Sequence, residues 1–191
     1  AAERGGLIIY DVRDPRAPKI VSTIKLPGHT HSHKVRVHGD IMLVNDELYH
    51  AAGGERPADY GGGIKIYDTT DKANPRQIGH YKSGGSQRFD SEGRYAYISS
   101  EEDGFVGDIV VILDLADPAK PEKIGQWHMP GQHAAVGETP TWRGRAHRCH
   151  HPLRRGDRLY TSYWHGGFVI LDCSDLRHPK FISGLDWSPP Y

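Results

Sequence analysis

Four short apolar stretches, each closed by an aspartate, recur along the chain and predict β-strands. They read LIIYD, IKIYD, VVILD and FVILD, and they end at Asp11, Asp68, Asp114 and Asp172. In every copy a second aspartate follows three residues later, a proline seven residues later and an aliphatic residue ten residues later. Aspartate caps and proline are typical of a structured turn, so each copy predicts a β-hairpin.

The stretches between these hairpins also align with one another. They cover residues 33–46, 87–100 and 150–163, and they share a glycine, here called the turn glycine, at Gly39, Gly93 and Gly156. A short strand on each side of this glycine, added to the hairpin, makes an antiparallel unit of four strands. Tandem units of about 40–50 residues with four strands each are typical of a β-propeller.

The sequence therefore predicts an all-β fold with about three and a half blades. The predicted units are a half blade at 5–27 and complete blades at 33–82, 87–129 and 150–184. Two inserts, residues 47–61 and 132–146, lengthen the spacing, and loops on a rigid scaffold often carry function.

An incomplete set of blades leaves sheet edges open, whereas propellers typically have about four to eight blades. The strand count therefore predicts that other blades complete the ring. Two sources are open: a longer chain of which this one is a part, or a second copy in a homodimer with a ring of seven blades.

Two segments of the chain resemble the LVIVD-repeat family of bacterial β-propellers: GLIIYDVRDPRAPKIVSTIKLPG and GDIVVILDLADPAKPEKIGQWHMPG. The resemblance covers all four hairpins and the strands between them, and it implies the propeller fold. A subgroup of larger proteins in that family is similar at RYAYISS, PGQHAAVGETPTW, CHHPL and DWSPPY. This implies that the chain continues into further blades, and it implies no particular activity.

Composition and net charge argue against some classes of binding partner. The 191 residues include 24 basic and 24 acidic side chains, and the mean hydropathy is −0.62. Zero net charge argues against nucleic acid and membrane surfaces as partners, and no apolar run reaches the roughly 18 residues of a membrane span. Cys149 is predicted to be buried and unreactive rather than catalytic. No signal segment is recognised, so the compartment, cytoplasmic or periplasmic, is left open.

The 13 histidines suggest where chemistry could occur. His33 and His150 both stand six residues before a turn glycine, where the middle blade has Gln87. This is the start of the innermost strand, so equivalent residues should converge at one mouth of the propeller channel. Because imidazoles bind Zn, Cu, Fe and Mn, we predict a transition-metal site with His33, His150 and His31 as ligands. The alternative is a set of histidines that are solvated or hydrogen-bonded to the backbone.

Three further residues are candidates for catalysis. Arg88 and His151 follow the predicted converging positions directly, and Glu138 is a carboxylate in the second insert, which leads to the third innermost strand. Glu138 could complete the ligand set or act as a general base. The paired aspartates are interpreted as turn caps rather than calcium ligands, because the calcium-loop spacing is absent.

These patterns favour a metal-dependent enzyme, a hydrolase, lyase or oxidase, with a His-lined site at the mouth of the propeller axis. Its partner would be a small molecule, and the arginines near the site leave an anionic one open. The alternative is a non-catalytic propeller that serves as a scaffold for protein–protein interaction. Convergence of the histidines favours the enzyme, whereas scattered, exposed imidazoles favour the scaffold.

Overall fold

The computed structural model describes residues 6–27, 30–48 and 58–186. Residue 5 of the predicted half blade, residues 49–57 of the first insert and residues 187–191 of the DWSPPY segment lie outside these ranges. Within them the chain forms fifteen β-strands and one short 3₁₀ helix, Ala134–Val136. No helix in the described ranges is long and apolar enough to cross a lipid bilayer.

The strands form one two-stranded sheet and three larger antiparallel sheets. The half blade contains β1 (Gly6–Asp11) and β2 (Lys19–Lys25). Blade A contains β3 (Thr30–His31), β4 (Val35–His38), β5 (Ile41–Leu48), β6 (Gly63–Asp68) and β7 (Arg76–Tyr81). Blade B contains β8 (Gly85–Ser91), β9 (Tyr95–Glu101), β10 (Asp108–Asp114) and β11 (Glu122–Trp127). Blade C contains β12 (Arg148–Arg155), β13 (Arg158–Trp164), β14 (Gly167–Asp172) and β15 (Lys180–Leu185).

The prediction of an all-β propeller with three and a half blades is confirmed. In blade A both β3 and β4 pair with β5, so together they make one innermost strand in two pieces. The half blade supplies only the outer hairpin of a blade within the described residues. Whether a longer chain or a second copy completes it stays a prediction.

The repeated aspartates cap the turns between the two outer strands, as predicted. In blade B the Asp114 carboxylate accepts from the N–H of Ala116 at 2.9 Å, and the Asp117 carboxylate accepts from the N–H of Ala119 at 3.0 Å. The equivalent aspartates of the half blade and of blades A and C make the same bonds. Each hairpin therefore carries its own turn, which sets the register of its two strands.

The core lies between the blades, because each sheet is apolar on both faces. One buried cluster joins blades A and B, and it includes Leu43, Ile66, Phe89 and Ile98. A second joins blades B and C around Cys149 and other fully buried side chains. Cys149 is buried, as predicted, and this burial raises the pKa of its thiol well above its usual value.

A repeated hydrogen bond also joins successive blades. Asn45 and Ser99, each six residues after a turn glycine, are fully buried. Asn45 Nδ2 donates to the Ser86 carbonyl at 2.9 Å, and Ser99 Oγ donates to the Cys149 carbonyl at 2.7 Å. Both acceptors stand seven residues before the turn glycine of the next blade. The repeat therefore encodes a contact from the second strand of one blade to the innermost strand of the next, as well as the hairpins.

Candidate metal centre

The innermost strand of every complete blade is interrupted at the position where the sequence predicts convergence. In blade A the interruption spans residues 32–34, between β3 and β4. In blade B the register shifts around Gln87 and Arg88, and in blade C it shifts at His150. Such bulges leave residues without a cross-strand partner and redirect their side chains. The six-residue offset from the turn glycine thus marks the same irregularity three times.

Two histidines and a glutamate of blade A meet at this interruption. His31 pairs with Glu47 across β3 and β5, and its Nδ1 lies 3.1 Å from Glu47 Oε1. The Nδ1 atom of His33 lies 3.2 Å from the same oxygen. The two rings are 4.6 Å apart between centroids. His31, His33 and Glu47, here called the triad, therefore bring three ligand atoms close together.

The spacing of the triad suits a metal ion. Its three ligand atoms all lie within 4.8 Å of one another. Zinc bonds of about 2.0–2.2 Å in a tetrahedral site place ligand atoms about 3.3 Å apart, which is close to the two separations to Glu47. Two imidazoles with one carboxylate is also a ligand set of catalytic zinc sites that keep a position open for water or substrate.

Asn45 holds the triad's irregular backbone in place. Its Oδ1 accepts from the N–H groups of His33 at 3.0 Å and Lys34 at 2.8 Å. Its Nδ2 donates to the carbonyls of Ser86 and Gln87 in blade B. The amide thereby replaces the ladder bonds that the interruption removes, and it ties the His33 loop to the neighbouring blade.

His150 lies near the triad but is held by another partner. Arg88 Nε donates to His150 Nε2 at 3.1 Å, so this nitrogen is an acceptor. Burial, followed by the charges of Arg88 and Arg148, lowers the pKa of His150, while Glu47 opposes them. The ring is thus kept neutral, with its Nε2 lone pair directed at a guanidinium. The structure brings His31 and His33 together, with Glu47 rather than His150 as their third group.

Glu138, the carboxylate that the sequence predicts as a ligand or general base, contacts groups of its own loop. Its Oε2 accepts from the N–H groups of Gly131 at 2.8 Å and His133 at 3.0 Å. His128 Nε2 lies 3.4 Å from Oε1, and His133 stacks on Phe105 with ring centroids 4.1 Å apart. These contacts shape the second insert and use both carboxylate oxygens.

Sequence reasoning missed Glu47, although a signal for it exists. Glu47 and Glu101 both stand eight residues after a turn glycine, at the ends of β5 and β9. Because the first two strands of a blade are antiparallel, this position returns to the mouth where the innermost strand starts. Aligning acidic residues on the turn glycine, as was done for histidines, would have identified Glu47.

A separate cavity of about 310 Å³ lies beside the start of β12. Its lining residues come from the second insert and the ends of blade C: Thr141, Trp142, Arg143, Arg145, His147, His165 and Asp186. Trp142 stacks on His147 with ring centroids 4.7 Å apart, and burial lowers the pKa of His147. The second insert therefore builds this cavity rather than a wall of the triad.

Asp108, at the start of β10, is the most strongly perturbed carboxyl near the mouth. Burial raises its pKa to about 7, with Arg148 opposing and Glu101 and Glu47 adding to the rise. The folded pKa exceeds the unfolded value of about 3.9. The stability that proton binding at Asp108 contributes is therefore complete below about pH 4 and is lost as pH rises through 7.

Asp108→Asn should remove this pH dependence, because an amide stays neutral. We expect its free energy of unfolding, relative to the native chain, to rise by roughly 3 kcal/mol between pH 4.5 and pH 8. Urea denaturation at both pH values measures the change. Asp103→Asn, in an exposed turn, is the reference variant. A difference between Asp108→Asn and the native chain that is the same at both pH values would contradict the assignment.

Comparison with known proteins supports the fold. Residues 155–186, which span most of blade C, match the model of the LVIVD repeat. No curated protein matches the chain. A crystal structure of a protein from Lactobacillus plantarum is similar over 96% of this chain, with a TM-score of 0.68 and 13% sequence identity.

That likeness shows the fold alone, given the low identity. The chain spans about half the length of the Lactobacillus protein, 52% of it. The LVIVD match falls on one of the four hairpins that share the repeated aspartate and proline positions. Together with the sheet topology, these observations identify the chain as a β-propeller that carries an LVIVD repeat at residues 155–186.

Proposed function

We propose that this protein is a metal-dependent enzyme that acts on a small molecule at the mouth of the propeller channel. The observation that carries the proposal is the convergence of His31, His33 and Glu47 within 4.8 Å. The three residues come from two adjacent strands and a loop that Asn45 fixes. Support therefore comes from a held arrangement rather than from an abundance of histidine.

The ligand types favour Zn, with Cu, Fe and Mn as alternatives. A metal held there would supply a Lewis acid and would lower the pKa of a bound water. The carboxylate of Glu47 offsets the charge of the ion, and the triad alone leaves a position open for a substrate. The metal's identity would indicate the reaction: Zn points to a hydrolase or lyase, and Cu or Fe to an oxidase.

Neighbouring residues would bind and orient the molecule. Arg88 lies against His150 and carries a fixed positive charge. Burial, then the charges of Lys34 and Arg88, lower the pKa of His151 to about 4. His151 is therefore neutral at physiological pH and can accept a proton or a hydrogen bond. These are the roles in which we propose Arg88 and His151 as catalytic residues.

Metal retention tests the proposal directly. The purified full chain is stripped with a chelator, loaded separately with Zn²⁺ and Co²⁺, dialysed, and analysed for bound metal. We expect about one ion per chain, and His33→Ala and Glu47→Gln should weaken binding by about 100-fold or more, because each removes a ligand. His178→Ala is the matched control, since His178 is exposed in a turn of blade C and contacts Asp175.

Two outcomes would contradict the proposal. One is a chain that retains neither ion. The other is equal retention by His33→Ala and His178→Ala, which would place any bound metal elsewhere. Either result would leave the triad as a hydrogen-bonded cluster and would favour the scaffold hypothesis. Melting temperatures of all variants in the absence of metal separate the loss of a ligand from the loss of folding.

A further inference from the structure

Three basic residues occupy one repeat position in the three complete blades. Lys34, Arg88 and His151 each stand five residues before a turn glycine. Each directly follows the residue at which the innermost strand is interrupted. The three are here called the basic cluster, and they come from blades A, B and C respectively.

Their side chains lie on the face opposite to the apolar side chains of the same strands. The residues that follow them are Val35, Phe89 and Pro152, and these pack into the blade interfaces or are buried. Because side chains alternate along a strand, the basic cluster faces the other way. Lys34 and Arg88 are both near enough to His151 for their charges to lower its pKa, and Arg88 contacts His150, the residue before His151.

The positive charge of the cluster has little local compensation. Neither Lys34 nor Arg88 has a carboxylate within ion-pair distance anywhere in the described ranges. Asp90 is the nearby acidic group, and it is already bound by Arg36 at 2.9 Å between Arg36 Nε and Asp90 Oδ1. The side chains of Lys34 and Arg88 are both partly buried. Partly buried cations without a counter-ion are costly, so their grouping calls for an anion.

Hydrogen-bonding capacity is also left over. Arg88 donates its Nε–H to His150, and this leaves the terminal nitrogens of the guanidinium available. The Nε2 atom of His151 is buried and has no hydrogen-bond partner within the described part of the chain. A guanidinium and an ammonium group together suit carboxylate and phosphate oxygens, which accept charge-assisted hydrogen bonds.

We propose that Lys34, Arg88 and His151 form an anion-binding site that takes the carboxylate or phosphate group of a small molecule. The site lies beside the triad, because His150, which Arg88 contacts, is itself coupled to His33 and Glu47. The proposal deepens the proposed function by naming the class of substrate, and rests on it for the statement that the bound anion is the substrate. Binding of the anion itself requires no metal.

Calorimetric titration of the metal-free full chain with inorganic phosphate, and separately with succinate, tests the site. We expect saturable binding of at least one of the two, weakened about tenfold or more by Arg88→Gln and by Lys34→Met. Arg143→Gln and Lys120→Met are matched controls, since both residues are exposed and Arg143 lines the separate cavity. The anion that binds more tightly identifies the preferred headgroup.

Folding of the variants is checked by thermal melting, and loss of an uncompensated charge should leave the melting temperature unchanged or higher. The proposal is overturned if neither anion binds saturably, or if Arg88→Gln and Lys34→Met bind as the native chain does. It is also overturned if Arg143→Gln alone weakens binding, because the anion would then occupy the separate cavity.

The metal and anion experiments fail independently. A chain that binds phosphate or succinate through Arg88 but retains no metal would overturn the proposed enzyme and support the anion site. A chain that retains metal through His33 but binds neither anion would support the metal site and overturn the anion site. Arg88→Gln should retain metal as the native chain does, since Arg88 is outside the triad.

Discussion

Replacing Lys65 with methionine is expected to lower the free energy of unfolding by about 3–5 kcal/mol. Lys65 in β6 and Asp46 in β5 form an ion pair with Nζ and Oδ2 2.6 Å apart. The Asp46 side chain is fully buried, and only 8% of the Lys65 side chain is exposed. Removing the ammonium group leaves a buried carboxylate without its counter-charge, which is the costly way to break such a pair.

Asp46→Leu/Lys65→Met, which removes both charges, should be closer to the native stability than Lys65→Met alone. Apolar groups of similar size can replace a buried ion pair with little loss. Arg76→Met is the matched control, because Arg76 pairs with Asp68 on the surface and 73% of its side chain is exposed. We expect it to cost under about 1 kcal/mol.

Urea denaturation of the four proteins, native chain included, decides the outcome. Equal losses of the free energy of unfolding in Lys65→Met and Arg76→Met would show that burial does not strengthen the Lys65–Asp46 pair. A double variant less stable than Lys65→Met alone would show that the attraction and hydrogen bonding within the pair outweigh the cost of its desolvation.

Asn45→Ala should both destabilise the fold and loosen the triad. Its side chain makes four hydrogen bonds, two to N–H groups of blade A and two to carbonyls of blade B. Unpaired buried groups cost about 1–3 kcal/mol each, so we expect a loss of about 3 kcal/mol or more in the free energy of unfolding. Metal retention should fall about tenfold or more, because the His33 backbone is no longer held.

Asn45→Asp separates the two effects, since it keeps the acceptor for His33 and removes the donors to blade B. It should lose stability while retaining metal better than Asn45→Ala. Asn74→Ala is the control, because Asn74 lies in an exposed turn and bonds to Asp71. Stability is measured by urea denaturation and metal by elemental analysis. Unchanged metal affinity in a folded Asn45→Ala variant would show that His33 needs no such support.

The fold could be predicted because the same local chemistry is repeated at fixed offsets. An apolar run, an aspartate cap and a proline each act within a few residues. Each hairpin can therefore be predicted from its own residues alone. The turn glycine, shared by the stretches between the hairpins, predicted the two inner strands of each blade. The interblade hydrogen bonds of Asn45 and Ser99 were not predicted, because polar residues inside a strand do not reveal which neighbouring carbonyl they meet.

The site was predictable only in part. Repeat alignment indicated the converging positions of His33 and His150, and the structure places both near Glu47. Repeat alignment could not show that Arg88 would donate a hydrogen bond to the Nε2 atom of His150. The position of Glu138 in the insert before the third innermost strand favoured it as a site residue. A loop carboxylate can instead accept hydrogen bonds from N–H groups of its own loop, and Glu138 does so from Gly131 and His133. The conformation of this loop is not repeated from blade to blade, so aligning the repeats cannot predict it.

The break in the innermost strand of each blade lets side chains of the site change without altering the fold. Residues at the break have no cross-strand partner, so exchanging their side chains disturbs no ladder hydrogen bond, while register is set elsewhere by turn glycines and aspartate caps. Each blade thus offers one position whose side chain can change independently of the others, as His33, Gln87 and His150 illustrate. Propellers built on this repeat are therefore expected to diverge in ligand faster than in shape.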